Sequence, residues 1–296
     1  MEKKIEIITP SRLHFSLIDL EGSLGRIDGG FGVAINKPRW HIEIEPSKKM
    51  VVPLIAKDTL SKIGRALKLK NNYRIIINEK VPMHVGLGSK TQLSLAIAMG
   101  ILKLEGKEIP VRELASIVGR GGTSGIGVAA FEKGGFILDC GHSTKEKKHF
   151  LPSRYSICSP PLVLVRYEIP ENWHFIVCIP KTYKIFGKKE LQAFKRYCPI
   201  SPMEVEKLSR IVLFKLLPSV LENDPKNFGD GIDAIQKIGF KKIENEIAGN
   251  FIRNLRKFLS NEGYCGGLSS FGPTCFSLID KKSTAEKIAR KTKEYL

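Results

Sequence analysis

The sequence predicts an α+β fold built from two lobes. Short stretches typical of strands are interspersed with longer stretches whose apolar residues recur at helical spacing. A length of 296 residues, 42% of them hydrophobic, is enough for a full core and for two lobes. A charged stretch at 145–149 and a proline-bounded stretch at 152–161 mark the boundary between them. We therefore assign residues 1–160 to an N-terminal lobe and residues 161–296 to a C-terminal lobe.

The N-terminal lobe is predicted to contain four strands and two helices outside its glycine-rich stretches. The strands are placed at 4–8, 40–45, 73–78 and 136–141. Residues 58–69 predict a short amphipathic helix capped by Asp58, and Pro110 begins a second helix over 110–118.

The C-terminal lobe is predicted to begin with a pair of strands at 162–167 and 173–180. Three helices follow, at 202–217, 225–238 and 246–259. Ser201, with proline after it, caps the first of these helices, and Asp224 caps the second. A strand at 275–279 and a helix from Thr284 end the sequence.

One glycine-rich stretch, residues 81–106, predicts a buried helix that begins directly after a tight turn. It reads VPMHVGLGSKTQLSLAIAMGILKLEG, with apolar residues at helical spacing in its second half. Ser89 and Gln92 form the S-x-x-Q pattern of a capping box, so the helix is predicted to begin at Ser89. Gly106 stands where a helix C-cap glycine belongs.

The start of this helix is suited to a phosphate group. Helix N-termini present unpaired N–H groups at the positive end of the helix dipole. Gly86 and Gly88 allow close backbone approach, and Lys90 adds a full positive charge.

Composition excludes several other classes of protein. No apolar run approaches the roughly 18 residues of a membrane span, and the charged start, MEKKIEIITP, does not resemble a signal peptide, so we expect a cytoplasmic protein. The six cysteines lack zinc-site spacing and are interpreted as isolated buried thiols. The net charge of +18 comes from scattered lysines without interleaved aromatics, which favours polyanionic small substrates over nucleic acid.

Three stretches resemble the motifs of the galactokinase, homoserine kinase, mevalonate kinase and phosphomevalonate kinase (GHMP) superfamily. Residues 9–15, TPSRLHF, resemble its first motif, and 82–90 resembles the P-x-x-x-G-L-G-S-S loop that wraps the nucleotide triphosphate in the kinases. Residues 265–274 resemble the third motif, a glycine-rich turn that faces this loop, and include Gly272 and Thr274. The resemblance implies the GHMP kinase-like fold, with a ribosomal S5 domain 2-like N-terminal lobe and a ferredoxin-like C-terminal lobe.

Other stretches do not match the motifs of the kinases. Three segments resemble the archaeal β-ribofuranosylaminobenzene 5'-phosphate synthases, which have the GHMP fold without being kinases. These segments read RLHFSLIDL, GRIDGGFGVA and GRGGTSGIG. The aspartate that serves the kinases as catalytic base aligns with Gly127, and a glycine cannot deprotonate an acceptor. Lys90 departs from the small residue expected in the synthases.

The resemblance implies a reaction between phosphoribosyl pyrophosphate and 4-aminobenzoate, or 4-hydroxybenzoate in some members. The products are pyrophosphate, CO2 and a C-glycoside, in the biosynthesis of methanopterin. Residue type alone does not decide between the two acids. The family also implies Mg²⁺ as cofactor and a homodimer.

Candidate residues are assigned to this reaction from residue type and family motif. A guanidinium, Arg26 or Arg12, is expected to orient the substrate carboxylate, and Arg120 or Lys90 to hold the 5'-phosphate. Asp19 and Asp28 are expected to bind Mg²⁺ or ribose hydroxyls, or to assist deprotonation of the para substituent, a role that His14 could also take. The remaining expected substrate contacts come from Gly86, Gly88, Ser89, Thr91, Gln92, Ser124, Gly272 and Thr274.

Two alternatives stay open at this point. A GHMP small-molecule kinase that uses ATP is supported by the shared phosphate loop and weakened by Gly127. A basic RNA-binding relative rests on fold analogy alone. We expect small-molecule substrates, and neither nucleic acid nor a membrane as partner.

Overall fold

The computed structural model describes residues 4–182 and 184–296. The strands in these ranges are β1 (Ile5–Asp19), β2 (Arg26–Ser47), β3 (Asn72–Glu79), β4 (Phe136–Asp139), β5 (His142–Ser143), β6 (Val163–Tyr167), β7 (His174–Cys178), β8 (Gly267–Leu268) and β9 (Cys275–Ile279). The helices are α1 (Lys57–Leu67), α2 (Ser89–Leu104), α3 (Val111–Ile117), α4 (Ile126–Lys133), α5 (Lys188–Tyr197), α6 (Pro202–Ile211), α7 (Leu217–Leu221), α8 (Pro225–Ile235), α9 (Gly239–Glu262) and α10 (Lys282–Tyr295). The predicted α+β fold is confirmed.

The strands form two antiparallel sheets. The larger has the order β1-β2-β4-β6, with β3 and β5 also paired to β2, and the smaller has the order β7-β9-β8. Strand β1 is far longer than the predicted 4–8, because Pro10 falls at a register shift between Thr9 and Ser11. A proline at such an irregularity removes no ladder hydrogen bond, so the strand continues beyond it.

The predicted pairing of the strands at 162–167 and 173–180 is wrong. Both stretches are strands, but β6 pairs with β4 in the larger sheet and β7 pairs with β9 in the smaller one. The division between residues 160 and 161 stays a prediction, and the pairing of β6 favours a boundary after Tyr167.

Several helix boundaries differ from those predicted. Helix α6 continues through a single wide turn, Val212–Leu216, into α7, where Pro218 stands at the start of a helical segment and its missing N–H costs little. Helix α9 begins earlier than predicted and is interrupted at Gly249. Helices α4 and α5 were not predicted, since the first follows a glycine-rich loop and the second is short and highly charged.

The predicted helix caps are only partly confirmed. Asp224 accepts a hydrogen bond from the Asn227 N–H at 2.9 Å, as expected of an N-cap. Ser201 makes no capping hydrogen bond. Asp58 lies inside the first turn of α1, where its carboxylate pairs with Lys62 at 3.3 Å.

Helix α2 lies at the centre of the N-terminal lobe. Most of its residues are buried, and it packs against both β1 and β2. The Trp40 indole N–H donates to the Ser89 carbonyl oxygen at 3.0 Å, which fixes the first turn of α2 on the sheet. Gly106 has a positive φ of 66° directly after the helix end, as its predicted C-cap role requires.

An aromatic cluster joins the two lobes. The Phe15 ring of β1 lies 5.2 Å from the Phe276 ring of β9 and 5.8 Å from the Phe228 ring of α8. All three side chains are fully buried in one continuous hydrophobic core. No helix within the described ranges is both long and apolar enough to cross a lipid bilayer.

Candidate active site

A cavity of about 200 Å³ lies between the glycine-rich loop and the C-terminal lobe. Ten of the residues singled out in the sequence line it, namely Arg12, His14, Gly86, Gly88, Ser89, Lys90, Thr91, Arg120, Ser124 and Gly272. The motifs that contain them are far apart in sequence, and the fold brings them to one place.

The loop before α2 depends on two glycines and on hydrogen bonds from the third motif. Gly86 and Gly88 have φ values of 88° and 72°, which glycine adopts without strain. The Ser269 hydroxyl donates to the Gly86 carbonyl oxygen at 2.7 Å, and the Thr274 N–H donates to the Val85 carbonyl oxygen at 3.2 Å. The third motif therefore supports the phosphate loop from behind.

The predicted capping box at the start of α2 is wrong. The Ser89 hydroxyl donates to the Pro82 carbonyl oxygen at 2.5 Å, and the Gln92 amide donates to the Gly127 carbonyl oxygen at 2.7 Å. Both side chains thus fix the surroundings of the helix. No side chain in the described part of the chain caps the start of α2, which leaves its N-terminal end available to a ligand.

Two half-buried arginines flank this helix start. A guanidinium N–H of Arg12 donates to the Gly86 carbonyl oxygen, and the Nε–H of Arg120 donates to the Thr91 hydroxyl at 3.0 Å. Burial, followed by the charge of Arg120, lowers the pKa of Arg12 to about 10, and burial also lowers the pKa of Arg120. Neither arginine forms an ion pair with another residue of the described chain. Two half-buried guanidiniums that form no salt bridge within the described residues form a site for an anion, although the more distant charges of Glu190 and Glu244 also act on Arg12.

The opposite wall of the cavity is apolar. Leu17, Ile185, Phe194 and Phe271 line it and belong to one cluster of buried side chains. At its edge the Phe186 and His84 rings stack with centroids 4.3 Å apart. A ligand with charged groups at one end and an aromatic ring at the other fits this division.

Two glutamates, Glu190 and Glu244, line the cavity, and neither was predicted from sequence. Burial raises the pKa of Glu190 to about 7, and burial also raises the pKa of Glu244, which is paired with Lys241. The Gly187 N–H donates to Glu190 at 3.3 Å in the capping pattern of α5. That pattern was readable in the sequence, but it gave no sign that the side chain reaches the cavity.

Replacing Glu190 by glutamine is expected to flatten the pH dependence of anion binding. With a raised pKa of about 7, Glu190 is mainly protonated at pH 6 and mainly charged at pH 8, where its carboxylate competes for Arg12 and Arg120. Between pH 6 and 8, the affinity for pyrophosphate measured without Mg²⁺ should therefore fall roughly tenfold further in the wild type than in the variant. Titration calorimetry measures the affinity of both proteins at each pH. Because the ionisation of pyrophosphate is the same in both series, it does not affect the difference between them. Glu286→Gln, on α10, is the control, and parallel profiles for wild type and Glu190→Gln would contradict the expectation.

Three hydrogen-bonded side chains lie beside the phosphate loop. His14 Nε2 is 3.1 Å from the Ser124 hydroxyl, which donates to Asp139 at 3.4 Å. Burial lowers the pKa of His14 well below its usual value, whereas burial raises the pKa of Asp139 to about 6.

The structure does not bring Asp19, Arg26 and Asp28 to the cavity. The Asp19 carboxylate accepts two backbone N–H groups of its own turn. The Arg26 guanidinium donates to the carbonyl oxygens of Cys140 and Gly141, at 2.8 and 2.9 Å. The assignment of these residues to catalysis or to a metal gains no support from this cavity and stays a prediction, because their charged groups are engaged in local structure.

Asp28 has a structural role of its own. Its fully buried carboxylate lies 2.8 Å from the Lys147 ammonium and 2.6 Å from His142 Nδ1. Lys147 also donates to the Gly122 carbonyl oxygen and the Thr123 hydroxyl, in the loop that lines the cavity. The aspartate therefore fixes that loop from behind.

Two further predicted residues support the cavity without lining it. The Gln92 side chain reaches α4 behind the loop, as described above, and Thr274 is fully buried with its backbone bonded to Val85. Gly127 lines the cavity in the first turn of α4, where an added Cβ would lie 3.3 Å from the Thr91 methyl group. The position of the kinase base thus faces the cavity and carries no carboxylate.

Replacing Gly86 by alanine is expected to weaken phosphate binding. The φ of 88° strains any side chain, and the added Cβ would collide with the carbonyl oxygen of Ser269, the residue whose hydroxyl supports the loop. We expect the apparent affinity for pyrophosphate to fall at least about tenfold, a change of about 1.4 kcal/mol.

Gly106→Ala is the matched control for Gly86→Ala. Gly106 has a φ of 66° at the other end of the same helix, and its added Cβ would meet no atom within 4 Å. Equal pyrophosphate affinities of the two folded variants in calorimetry would show that close approach at Gly86 is not required.

Comparisons with known proteins agree with this architecture. Residues 54–135 match the family described as GHMP kinases N terminal domain, and residues 216–296 match GHMP kinases C terminal. The phosphomevalonate kinase structure of Streptococcus pneumoniae covers 99% of this chain and 96% of its own, with a TM-score of 0.71 and 12% identity. The mevalonate kinase structure of Methanococcus jannaschii covers 99% and 95%, with a TM-score of 0.68 and 13% identity. At these identities the structures show a shared fold alone.

Relatives of similar sequence define the family more narrowly than the structural neighbours do. The beta-ribofuranosylphenol 5'-phosphate synthase of Methanothermobacter thermautotrophicus is 44% identical over 296 residues, which cover 94% of this chain and 90% of the relative. The protein of the same name from Methanocaldococcus jannaschii is 41% identical over 303 residues, covering 95% and 91%. On the GHMP fold, the chain therefore belongs to the family of beta-ribofuranosylphenol 5'-phosphate synthases.

Proposed function

We propose that this protein joins phosphoribosyl pyrophosphate to 4-hydroxybenzoate, releasing CO2 and pyrophosphate and forming a ribofuranosylphenol 5'-phosphate. The observation that carries the proposal is the pair of half-buried arginines at the start of α2, which form no salt bridge within the described residues, in a cavity that also has an apolar wall. The relatives' names specify a phenol, which favours the hydroxy acid over 4-aminobenzoate.

The phosphate loop is assigned to the pyrophosphate group. The uncapped start of α2, Arg120 and Lys90 lie where charge develops as the pyrophosphate leaves. Lys90 pairs at 3.4 Å with Asp58 and is nearly half exposed, so Arg120 is the better candidate for a fixed phosphate contact.

Arg12 is assigned to the carboxylate of the aromatic acid. It lines the cavity, whereas the alternative candidate, Arg26, is bonded to carbonyl oxygens away from it. A guanidinium can hold the carboxylate by paired hydrogen bonds and so direct the ring carbon that carries it toward the ribose. Loss of CO2 then restores the aromatic ring without removal of a ring proton, consistent with glycine at position 127.

The donor set of the cavity fits Mg²⁺ only with help from the substrate. No group of three or more His, Cys, Asp or Glu side chains in residues 4–182 and 184–296 could hold a metal by itself. Mg²⁺ is commonly bound by one or two carboxylates together with substrate phosphates, and Glu190 is the cavity carboxylate that is free of a lysine partner. Bound Mg²⁺ would neutralise charge on the departing pyrophosphate. Glu190 thus replaces Asp19 and Asp28 as the candidate ligand.

The test is release of labelled CO2 from carboxyl-labelled 4-hydroxybenzoate and 4-aminobenzoate, each with purified protein, Mg²⁺ and phosphoribosyl pyrophosphate. Release that requires phosphoribosyl pyrophosphate, with the hydroxy acid reacting faster, is expected. ATP in its place is the control for the weaker kinase alternative. No release with either acid from folded protein would overturn the proposal. The homodimer and the cytoplasmic location stay predictions.

A further inference from the structure

Asp139 is a buried carboxylate that the proposed reaction does not use directly. It lies at the end of β4, and the backbone N–H groups of Gly30, Gly125 and Gly141 donate to it at 3.0, 2.8 and 3.0 Å. These donors fix both of its oxygens as acceptors. An added Cβ at Gly30 would meet Ser124, Asp139 and His14 within 3.2 Å, so the three side chains converge there.

The direction of the hydrogen bonds follows from the ionised carboxylate. A carboxylate can only accept, so the Ser124 hydroxyl proton points toward Asp139. The Ser124 oxygen then accepts from His14, which requires the proton of the neutral imidazole to lie on Nε2. The other ring nitrogen, Nδ1, carries the lone pair.

That nitrogen is buried and has no hydrogen-bond partner within the described chain. His14 lines the cavity, and its lowered pKa keeps the ring neutral, so that the Nδ1 lone pair stays unprotonated. The charges that act on His14 are those of Arg12 and Lys241, which lower its pKa further, whereas the Lys147 ammonium is paired with Asp28.

The spacing along β1 relates His14 to Arg12. The two residues are separated by one position in an uninterrupted stretch of the ladder, so they lie on the same face, roughly 7 Å apart along the strand. Both residues line the same cavity, so an aromatic acid bound with its carboxylate at Arg12 would lie along the strand face that carries His14.

We propose that Ser124 and Asp139 are positioning residues that hold His14 with its proton on Nε2, so that Nδ1 accepts the proton of the substrate's para hydroxyl. This inference rests on the proposed function. The O–H bond breaks and its electron pair moves through the ring to the carbon that carries the carboxylate. That carbon bonds to the ribose as the bond to pyrophosphate breaks, CO2 leaves, and His14 returns the proton to the phenol oxygen.

The first test reads the tautomer without any turnover. In protein labelled with 15N at histidine, the signal of His14 is identified by its loss in His14→Gln. We expect Nε2 to be protonated and Nδ1 bare in the wild type above pH 7. Ser124→Ala should shift His14 to a mixture of tautomers, and Ser124→Thr should restore the wild-type signal. An unchanged tautomer in folded Ser124→Ala would overturn the positioning role.

The second test reads the proton transfer. With 4-hydroxybenzoate, His14→Gln should lower kcat about 100-fold and Ser124→Ala about tenfold, with little change in KM for phosphoribosyl pyrophosphate. With 3,5-difluoro-4-hydroxybenzoate, whose phenol ionises near neutral pH, both losses should shrink. Equal losses with both acids would overturn the role of His14 as base. Ser116→Ala, on exposed α3, is the control.

The two tests separate this inference from the proposed function. Absence of turnover with every acid in the wild type would refute the proposed function and with it the proton transfer. The 15N signal of His14 reports the tautomer whether or not the protein turns over. Asp139→Asn is left as a secondary variant, because an amide nitrogen would face backbone N–H groups that donate to the carboxylate.

Discussion

Replacing Arg12 by alanine should nearly abolish synthesis while leaving the fold intact enough to measure. Arg12 is the half-buried charge that we assign to the substrate carboxylate, and removing one partner of a charge pair that binding buries costs about 2–5 kcal/mol. At the middle of that range kcat/KM for 4-hydroxybenzoate should fall by a factor of several hundred. Steady-state kinetics with saturating phosphoribosyl pyrophosphate measures the loss.

Arg12→Lys sharpens this prediction. Lysine keeps the charge but lacks the planar fork that pairs with both carboxylate oxygens, so most of the loss should persist. Arg74→Lys, at an exposed side chain of β3, is the control for replacing an arginine by lysine away from the cavity. Nearly full activity in Arg12→Lys, with an unchanged melting temperature, would remove Arg12 from the carboxylate site and return Arg26 to consideration.

Replacing Asp28 by asparagine should destabilise the protein strongly. The substitution leaves the Lys147 ammonium buried without its carboxylate, and breaking a buried pair in this way costs about 3–5 kcal/mol. Urea unfolding should show this fall in the free energy of unfolding, with Asp230→Asn, an exposed member of a helix pair, changing it by less than about 0.5 kcal/mol.

The double variant Asp28→Asn with Lys147→Met distinguishes the two roles considered for Asp28. If an uncompensated charge causes the loss, removing that charge should recover a large part of the stability. A metal ligand would behave differently. Wild-type stability that rises with Mg²⁺, in a way that Asp28→Asn abolishes, would reinstate Asp28 as a metal ligand.

The sequence was most informative where the site is built from continuous segments. The helix begins at Ser89 as predicted, since glycine turns and helix starts are determined locally, and the residues around its start line the cavity. Arg12 and Arg120 were predicted to bind substrate because their motifs accompany this loop, and the structure brings both to it.

The remaining site residues depend on contacts that local patterns do not encode. Glu190 and Glu244 reach the cavity through the packing of α5 and α9 against β1, at separations of well over a hundred residues. Asp28 belongs to as distinctive a motif as Arg12, yet its side chain is engaged by Lys147. Residue type and motif did not distinguish the charge that faces the ligand from the charge that supports the loop behind it.

The aromatic cluster of Phe15, Phe228 and Phe276 has a consequence for how the chain holds together. Its rings come from β1 near the beginning of the chain, from α8, and from β9 near the end. Each lobe alone would expose its half of this cluster to water, at a cost of about 1.5–3 kcal/mol for each phenylalanine left uncovered. The two lobes are therefore halves of one cooperative unit, and neither is a module that could be exchanged between proteins without its partner surface.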